Sequence, residues 1–156
     1  MDWNAGRHWE STVLILTKRI CVIDGQGGGI GANLIKALRG RYGEIFEIWA
    51  LGTNAIATSQ MMKAGANRGA TGENAVIQSI RQADIILGPI PITWANSMLG
   101  EVTSRMAEAI TSSPAPKILL PLSQENIKLV GTTREPLPHL VEEIVDMKIK
   151  EYLENV

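Results

Sequence analysis

The chain is poor in the residue types that mark several functional classes. Its single cysteine, Cys21, excludes a disulfide framework and any metal site built from several thiolates. The two histidines, His8 and His139, are too isolated in the sequence to predict a metal site. A formal net charge of -1 lacks the basic excess that is typical of proteins that bind nucleic acid or an anionic membrane surface.

Long apolar runs are also missing. None approaches the roughly 20 residues that a membrane-spanning helix needs, and residues 1–18 lack the plan of a secretory signal peptide. These absences predict a cytoplasmic protein. Residues 1–17 have two open interpretations: a loosely ordered extension, as chain termini favour, or an arm that packs on a partner subunit. The remaining residues, 18–156, have the size of one domain.

Short apolar runs alternate with segments of helical periodicity along residues 18–156. Strands are predicted at 19–24, 45–51, 83–88, 117–122 and 127–130. Helices are predicted at 30–38, 53–64, around 76–80, at 99–110 and from Pro138 onward. Such alternation requires crossover connections. It predicts a three-layer, doubly wound α/β domain of Rossmann-like type, with a mainly parallel sheet of five or six strands.

The last predicted helix has a wide apolar stripe. It comprises Leu140, Val141, Ile144, Val145 and Ile149. A stripe of this width predicts a homo-oligomer, namely a dimer, unless the sheet of the same chain buries it.

The strongest indication of a binding site is the glycine loop, residues 24–31, which follows the first predicted strand. Its Gly27-x-Gly29-x-x-Ala32 spacing fits the dinucleotide-binding fingerprint, in the required context of a strand before and a helix after. Glycines in such loops let backbone N–H groups approach a phosphate at the positive end of the next helix. We therefore expect a phosphate-bearing small molecule here, such as a nicotinamide dinucleotide or another nucleotide. A tight turn without a ligand is the alternative.

The predicted binding residues lie on four segments. They are Asp24, Gly25, Gln26, Gly27, Gly28, Gly29, Ile30 and Gly31 on the glycine loop, Gly52, Thr53 and Asn54 after the second strand, Arg68, and Gly88 and Pro89 after the third strand. Because parallel strands place their carboxyl ends at one edge of a sheet, we expect the three post-strand segments to share a crevice at a topological switch point.

Two of these residues have competing interpretations. Asp24 is either a general base or an acceptor that fixes the turn through loop N–H groups. Arg68, in a predicted loop of small residues at 68–74, is either the cation for a phosphate or carboxylate or a solvated side chain.

The spacing Gly25-x-x-x-Gly29-Ile30-Gly31 is similar to the first loop of short-chain dehydrogenases, but their catalytic residues are missing. Neither Tyr42 nor Tyr152 has a lysine four residues later. The second strand ends without the acidic residue that holds an adenosine ribose, and without a cation for a 2′-phosphate. The loop resemblance therefore implies phosphate binding and no dehydrogenase reaction.

Several longer stretches together resemble one small bacterial family of single-domain proteins, a domain of unknown function. They are 23–31, 50–58, 64–74, 96–101 and 135–140, within a resemblance that spans roughly 18–149. The resemblance implies no activity. Three hypotheses are therefore open: a nucleotide-binding module, a small enzyme acting on a phosphorylated or carboxylated metabolite, and a non-catalytic assembly or sensing subunit.

Overall fold

The computed structural model describes residues 18–123 and 125–155. Residues 1–17, to which the expected extension or arm belongs, lie outside the described residues. Within the described ranges, no helix has both the length and the apolar character needed to cross a membrane.

One wholly parallel sheet of five strands, in the order β3-β2-β1-β4-β5, forms the centre of the domain. The strands are β1 Arg19–Asp24, β2 Glu47–Gly52, β3 Arg68–Thr71, β4 Ile85–Pro89 and β5 Lys117–Leu120. The chain proceeds outward from β1 in one direction and then restarts at β4 in the other. The junction of β1 and β4 is therefore a topological switch point.

Helices cover both faces of this sheet. They are α1 Gly29–Tyr42, α2 Ala55–Lys63, α3 Glu73–Ser79, α4 Ser104–Ser112, and a terminal helix made of α5 Leu137–Glu142, a π-helical segment Glu143–Lys148 and α6 Ile149–Glu154. Short 3₁₀ turns follow α3 at Ile80–Gln82 and β4 at Ile90–Thr93.

The core is divided by the sheet into two apolar clusters, because alternate residues of each strand point to opposite faces. Ile20 and Val22 of β1 pack in the cluster that contains α1, α2 and the terminal helix. Cys21 and Ile23 pack in the cluster that contains α3 and α4. This arrangement confirms the predicted three-layer, doubly wound α/β fold, with five strands and no antiparallel pair in the described sheet.

The apolar stripe of the terminal helix is buried within the chain. All five of its residues belong to the cluster beneath α1, and the Tyr42 hydroxyl of α1 donates to the Val145 carbonyl at 2.7 Å. The sheet and α1 therefore account for the stripe, and the homo-oligomer stays a prediction without support from it.

One strand prediction and one loop prediction were wrong. Residues 127–130 form no strand and are exposed, with Val130 fully so, because this apolar run pairs with no strand of the described sheet. Conversely, Arg68–Thr71, predicted as loop, is the edge strand β3. Its sequence contains no apolar run because it pairs only with β2 and remains largely exposed.

The predicted helix at 99–110 begins later than expected. Thr103 caps α4 by accepting from the Met106 N–H at 3.2 Å, so the helix starts at Ser104. Leu99 is 98% exposed and has a φ of 57°, which lies outside helical geometry. Leu99 therefore lies in a turn before α4, and its helical spacing from Met106 does not reflect one continuous helix.

Cys21 provides a test of how firmly the central strand is held. It is fully buried in β1, and burial raises the pKa of its thiol to about 12; the charge of Arg19 lowers this pKa, and the charges of Asp84 and Glu47 raise it, each by less than burial does. Since the thiolate is the reactive species, we expect no reaction with an aromatic disulfide reagent at neutral pH in the native state. Addition of denaturant should release one thiol per chain. Rapid stoichiometric labelling without denaturant would contradict the burial of β1.

Candidate functional site

Asp24, the last residue of β1, holds the glycine loop together. Its side chain is 3% exposed, and its two oxygens accept the N–H groups of Gly25 and Gly31, each at 2.8 Å. Burial raises the pKa of this carboxyl; the N–H bonds oppose the rise, and the charge of Glu101 adds to it. These contacts support the interpretation of Asp24 as the acceptor that fixes the turn.

Some glycines of the loop face the protein. Gly28 is buried with a φ of 73°, and a Cβ there would lie 2.7 Å from the Ala57 Cα of α2. A Cβ at Gly31 would lie 2.5 Å from the Met61 Sδ. At Gly25 it would meet the Thr53 Oγ1 at the same distance. These positions are glycine because α1 and α2 pack closely at the sheet edge.

Gly27 and Gly29 face outward. Both are exposed, and a Cβ at either position would have open space around it. Among the described residues, nothing accepts their N–H groups, whereas Gly25, Gln26, Gly28 and Gly31 all donate within the protein. Gly29 is also the first residue of α1, where backbone N–H groups lack a partner inside the helix.

The end of β2 lies beside the glycine loop. The Thr53 N–H donates to the Asp24 carbonyl at 3.0 Å, and the Asn54 Nδ2 donates to the Gln26 carbonyl at 3.0 Å. Asn54 also caps α2 by accepting from the Ala57 N–H at 2.9 Å. Gly52 is a packing residue, since a Cβ there would lie 2.7 Å from the Thr58 nitrogen.

Glu101 is a site residue that the sequence did not indicate. Its Oε1 accepts from the Gln26 N–H at 3.0 Å, from the Thr53 hydroxyl at 2.8 Å and from the Asn54 amide. Burial raises the pKa of Glu101, but these three hydrogen bonds outweigh it and leave the pKa below its ordinary value. An ionised carboxylate is thus held at the end of β2, where the sequence itself has only Gly52, Thr53 and Asn54.

The turn that carries Glu101 has an unusual backbone. Asn96, Met98 and Leu99 have φ values of 66°, 55° and 57°, and Gln26 on the glycine loop has a φ of 50°. The Met98 N–H donates to the Glu125 carboxylate at 2.7 Å. Left-handed backbone conformations are uncommon for residues other than glycine, and they cluster at ligand sites. Both of these loops therefore contain locally strained backbone.

A crevice of about 420 Å³ opens at this edge, at the junction of β1 and β4. Its volume is within the range of small-molecule sites. The described lining residues are Asp24, Gly25, Gln26, Gly27, Gly28, Gly29, Ile30, Pro89, Pro91, Met98, Leu122, Ser123 and Glu125. Pro89 therefore joins the glycine loop in one crevice. Thr53 and Asn54 are not among the described lining residues, and they border the crevice through their hydrogen bonds to Asp24 and Gln26, respectively. Gly88 is buried behind the wall, because a Cβ there would overlap the Ile23 carbonyl oxygen.

Arg68 lies elsewhere. It is the first residue of β3, paired in register with Trp49, and its guanidinium lies 3.9 Å from the Glu47 carboxylate and 5.9 Å from the Trp49 ring centroid. Glu47 is the first residue of β2, so Arg68 lies toward the amino ends of the strands, away from the crevice edge. The structure places Arg68 in a surface ion pair and apart from the glycine loop.

The described lining of the crevice is acidic in character. It includes carboxylates but no lysine, arginine or histidine. Ser123, the one hydroxyl residue among the described lining residues, accepts from the Glu125 N–H at 2.8 Å, and its hydroxyl donates to no described carboxylate. The described part of the crevice therefore shows no hydrogen-bonded pair of nucleophile and base.

Fold and site together define a three-layer α/β domain with a crevice at its topological switch point. The chain belongs to the family described as a domain of unknown function, DUF3842, whose match covers residues 19–154. No curated protein matches it.

Proposed function

We propose that this domain binds a small phosphate-bearing ligand, a nucleotide or dinucleotide, with its phosphate on the glycine loop. The observation that carries the proposal is the pair of outward N–H groups of Gly27 and Gly29. Both residues line the crevice, their N–H groups have no acceptor among the described residues, and they lie at the amino end of the 14-residue helix α1. Backbone N–H groups at a helix amino terminus are suited to an anion.

The carboxylates around the crevice limit which anion fits. Asp24 directs both oxygens at the loop backbone, and Glu101 directs Oε1 at the end of β2, so neither occupies the outward N–H groups. Because the described lining residues include no cation, the phosphate depends on backbone N–H groups and the dipole of α1. A ligand that carries one phosphate or diphosphate group and is otherwise neutral fits this distribution of charge.

The proposal supports a binding role and assigns no reaction. The alternative, an enzyme acting on a phosphorylated metabolite, has less support. Its candidate base is Asp24, and both oxygens of that carboxylate already accept N–H groups of the glycine loop. The sensing or assembly role is compatible with ligand binding here.

Gly27→Val tests the proposal. The φ of Gly27 is not positive and its Cβ would enter open space, so the variant should fold with wild-type stability while its side chain blocks the outward N–H groups. We expect ribonucleoside diphosphates or nicotinamide dinucleotides that raise the thermal midpoint of the wild type to bind at least about tenfold more weakly to the variant.

The matched control is Gly40→Val, which also adds a Cβ to open space, on an exposed position of α1 distant from the loop. Its affinity for the same nucleotides should equal that of the wild type. Equal affinity in Gly27→Val, or a wild type that none of these nucleotides stabilises, would refute the proposal. Isothermal titration calorimetry at fixed ionic strength measures the affinities directly.

A further inference from the structure

We infer that Glu101, which borders the crevice through its hydrogen bond from the lining residue Gln26, is the carboxylate that binds a ribose, so that the ligand is a ribonucleotide with free 2′- and 3′-hydroxyls. The inference rests on the proposed phosphate position at Gly27 and Gly29. It assigns recognition of the ribose of the same ligand to a residue that is distant in sequence from the glycine loop.

The position of Glu101 carries the first step. In dinucleotide-binding domains of this architecture, an acidic residue at the end of the second strand accepts the ribose hydroxyls. Here β2 ends in Gly52, and Thr53 and Asn54 follow without a carboxylate. Both of their side chains instead donate to Glu101, which places its carboxylate at that strand end.

The free oxygen of Glu101 carries the second step. All three donors converge on Oε1, and no described residue donates to Oε2. Oε2 is therefore available to accept hydrogen bonds from a ligand. Oε2 has lone pairs for both hydroxyls of a vicinal diol, and the lowered pKa of Glu101 keeps it ionised at neutral pH.

The relation to the phosphate site carries the third step. The Gln26 N–H donates to Glu101, and the next N–H along the chain, that of Gly27, is free and lines the crevice. Adjacent backbone groups therefore serve the carboxylate and the predicted phosphate. A nucleoside 5′-phosphate likewise carries its diol and its phosphate on one ribose, so a single nucleotide presents a group to each of these two positions.

The test compares ribonucleoside diphosphates with their 2′,3′-dideoxy counterparts, for each of the four common bases. We expect wild-type protein to bind the ribonucleotide about tenfold or more tightly, the value for hydrogen bonds to a charged acceptor. Glu101→Gln should reduce that ratio to near one while retaining affinity for the dideoxynucleotide, because the phosphate contacts are unchanged.

Glu73→Gln is the matched control. Glu73 likewise accepts a threonine hydroxyl, that of Thr103 at 2.7 Å, but it is not among the described lining residues of the crevice, so this variant removes the same charge away from the proposed ligand. Its ratio should equal that of the wild type, and circular dichroism should show both variants folded. An unchanged ratio in Glu101→Gln, or equal binding of ribo- and dideoxynucleotides to the wild type, would overturn the ribose assignment while leaving phosphate binding intact. Absence of binding to either set would overturn both.

Discussion

Gly28→Val should lower the free energy of unfolding by roughly 3 kcal/mol, combining about 1–3 kcal/mol of overpacking with about 1–2 kcal/mol of left-handed strain. The added Cβ would lie 2.7 Å from the Ala57 Cα and 2.8 Å from its carbonyl oxygen, both rigid backbone atoms of α2. The φ of 73° would hold valine in a conformation that β-branched side chains rarely adopt. Relief would require α2 to move away from the glycine loop.

Chemical denaturation followed by circular dichroism measures this effect, with Gly27→Val as the comparison. The neighbouring glycine has no positive φ and its Cβ has open space, so its substitution should leave stability nearly unchanged. A Gly28→Val protein as stable as the wild type would show that α1 and α2 are not packed as described.

Asp24→Ala should also be strongly destabilising, and in a pH-dependent manner. Removing the carboxylate leaves the buried N–H groups of Gly25 and Gly31 without their acceptor, at a cost of about 1–3 kcal/mol for each orphaned donor, offset by the removal of a buried charge. We expect a net loss of about 2 kcal/mol at neutral pH. Asp24→Asn retains one acceptor oxygen and should recover part of the loss.

The sign of the pH dependence follows from the raised pKa of Asp24. Burial, its largest cause, makes the folded state hold the proton more tightly than the unfolded chain, whose ordinary value is 3.8. This tighter proton binding stabilises the folded state. The stabilisation is fully present below pH 3.8 and is lost as the pH rises through the folded-state pKa. The stability gap between wild type and Asp24→Ala should therefore narrow as the pH rises from acid toward neutrality. A gap that widens would mean that the N–H bonds to the ionised form outweigh burial.

The sequence predicted the fold well because fold depends on periodicity. Buried parallel strands such as Arg19–Asp24 are continuous apolar runs, and α2 has both a capping Asn54 and a terminating Gly65. The edge strand Arg68–Thr71 lacked this signal, because a strand paired on one side and exposed on its surface needs no apolar run. The exposed run 127–130 had the signal without a partner strand.

The site was less predictable, because a one-dimensional motif does not say which way each residue faces. The glycine loop looks uniform in sequence, yet Gly28 packs against Ala57 while Gly27 lies open to the crevice. Glu101 is far from the loop in sequence, and its role depends on hydrogen bonds from Thr53 and Asn54. Polar residues at the end of β2, with no acidic residue among them, were the available signal that an acceptor comes from another segment.

The pairing of β1 with β4 has a consequence for folding. Ile20 must meet Ile85 across an intervening stretch that forms β2, β3 and three helices, whereas β1 and β2 are joined by a single helix. Bringing β1 and β4 together closes a longer stretch of chain than bringing β1 and β2 together, so it costs more chain entropy before any contact compensates for it. The crevice has one wall after β1 and another after β4, so it is complete only when this long-range pairing has formed. A nascent chain can thus assemble β1, β2 and β3 with their helices, but it acquires the second wall of the crevice only after β4 has been synthesised and inserted.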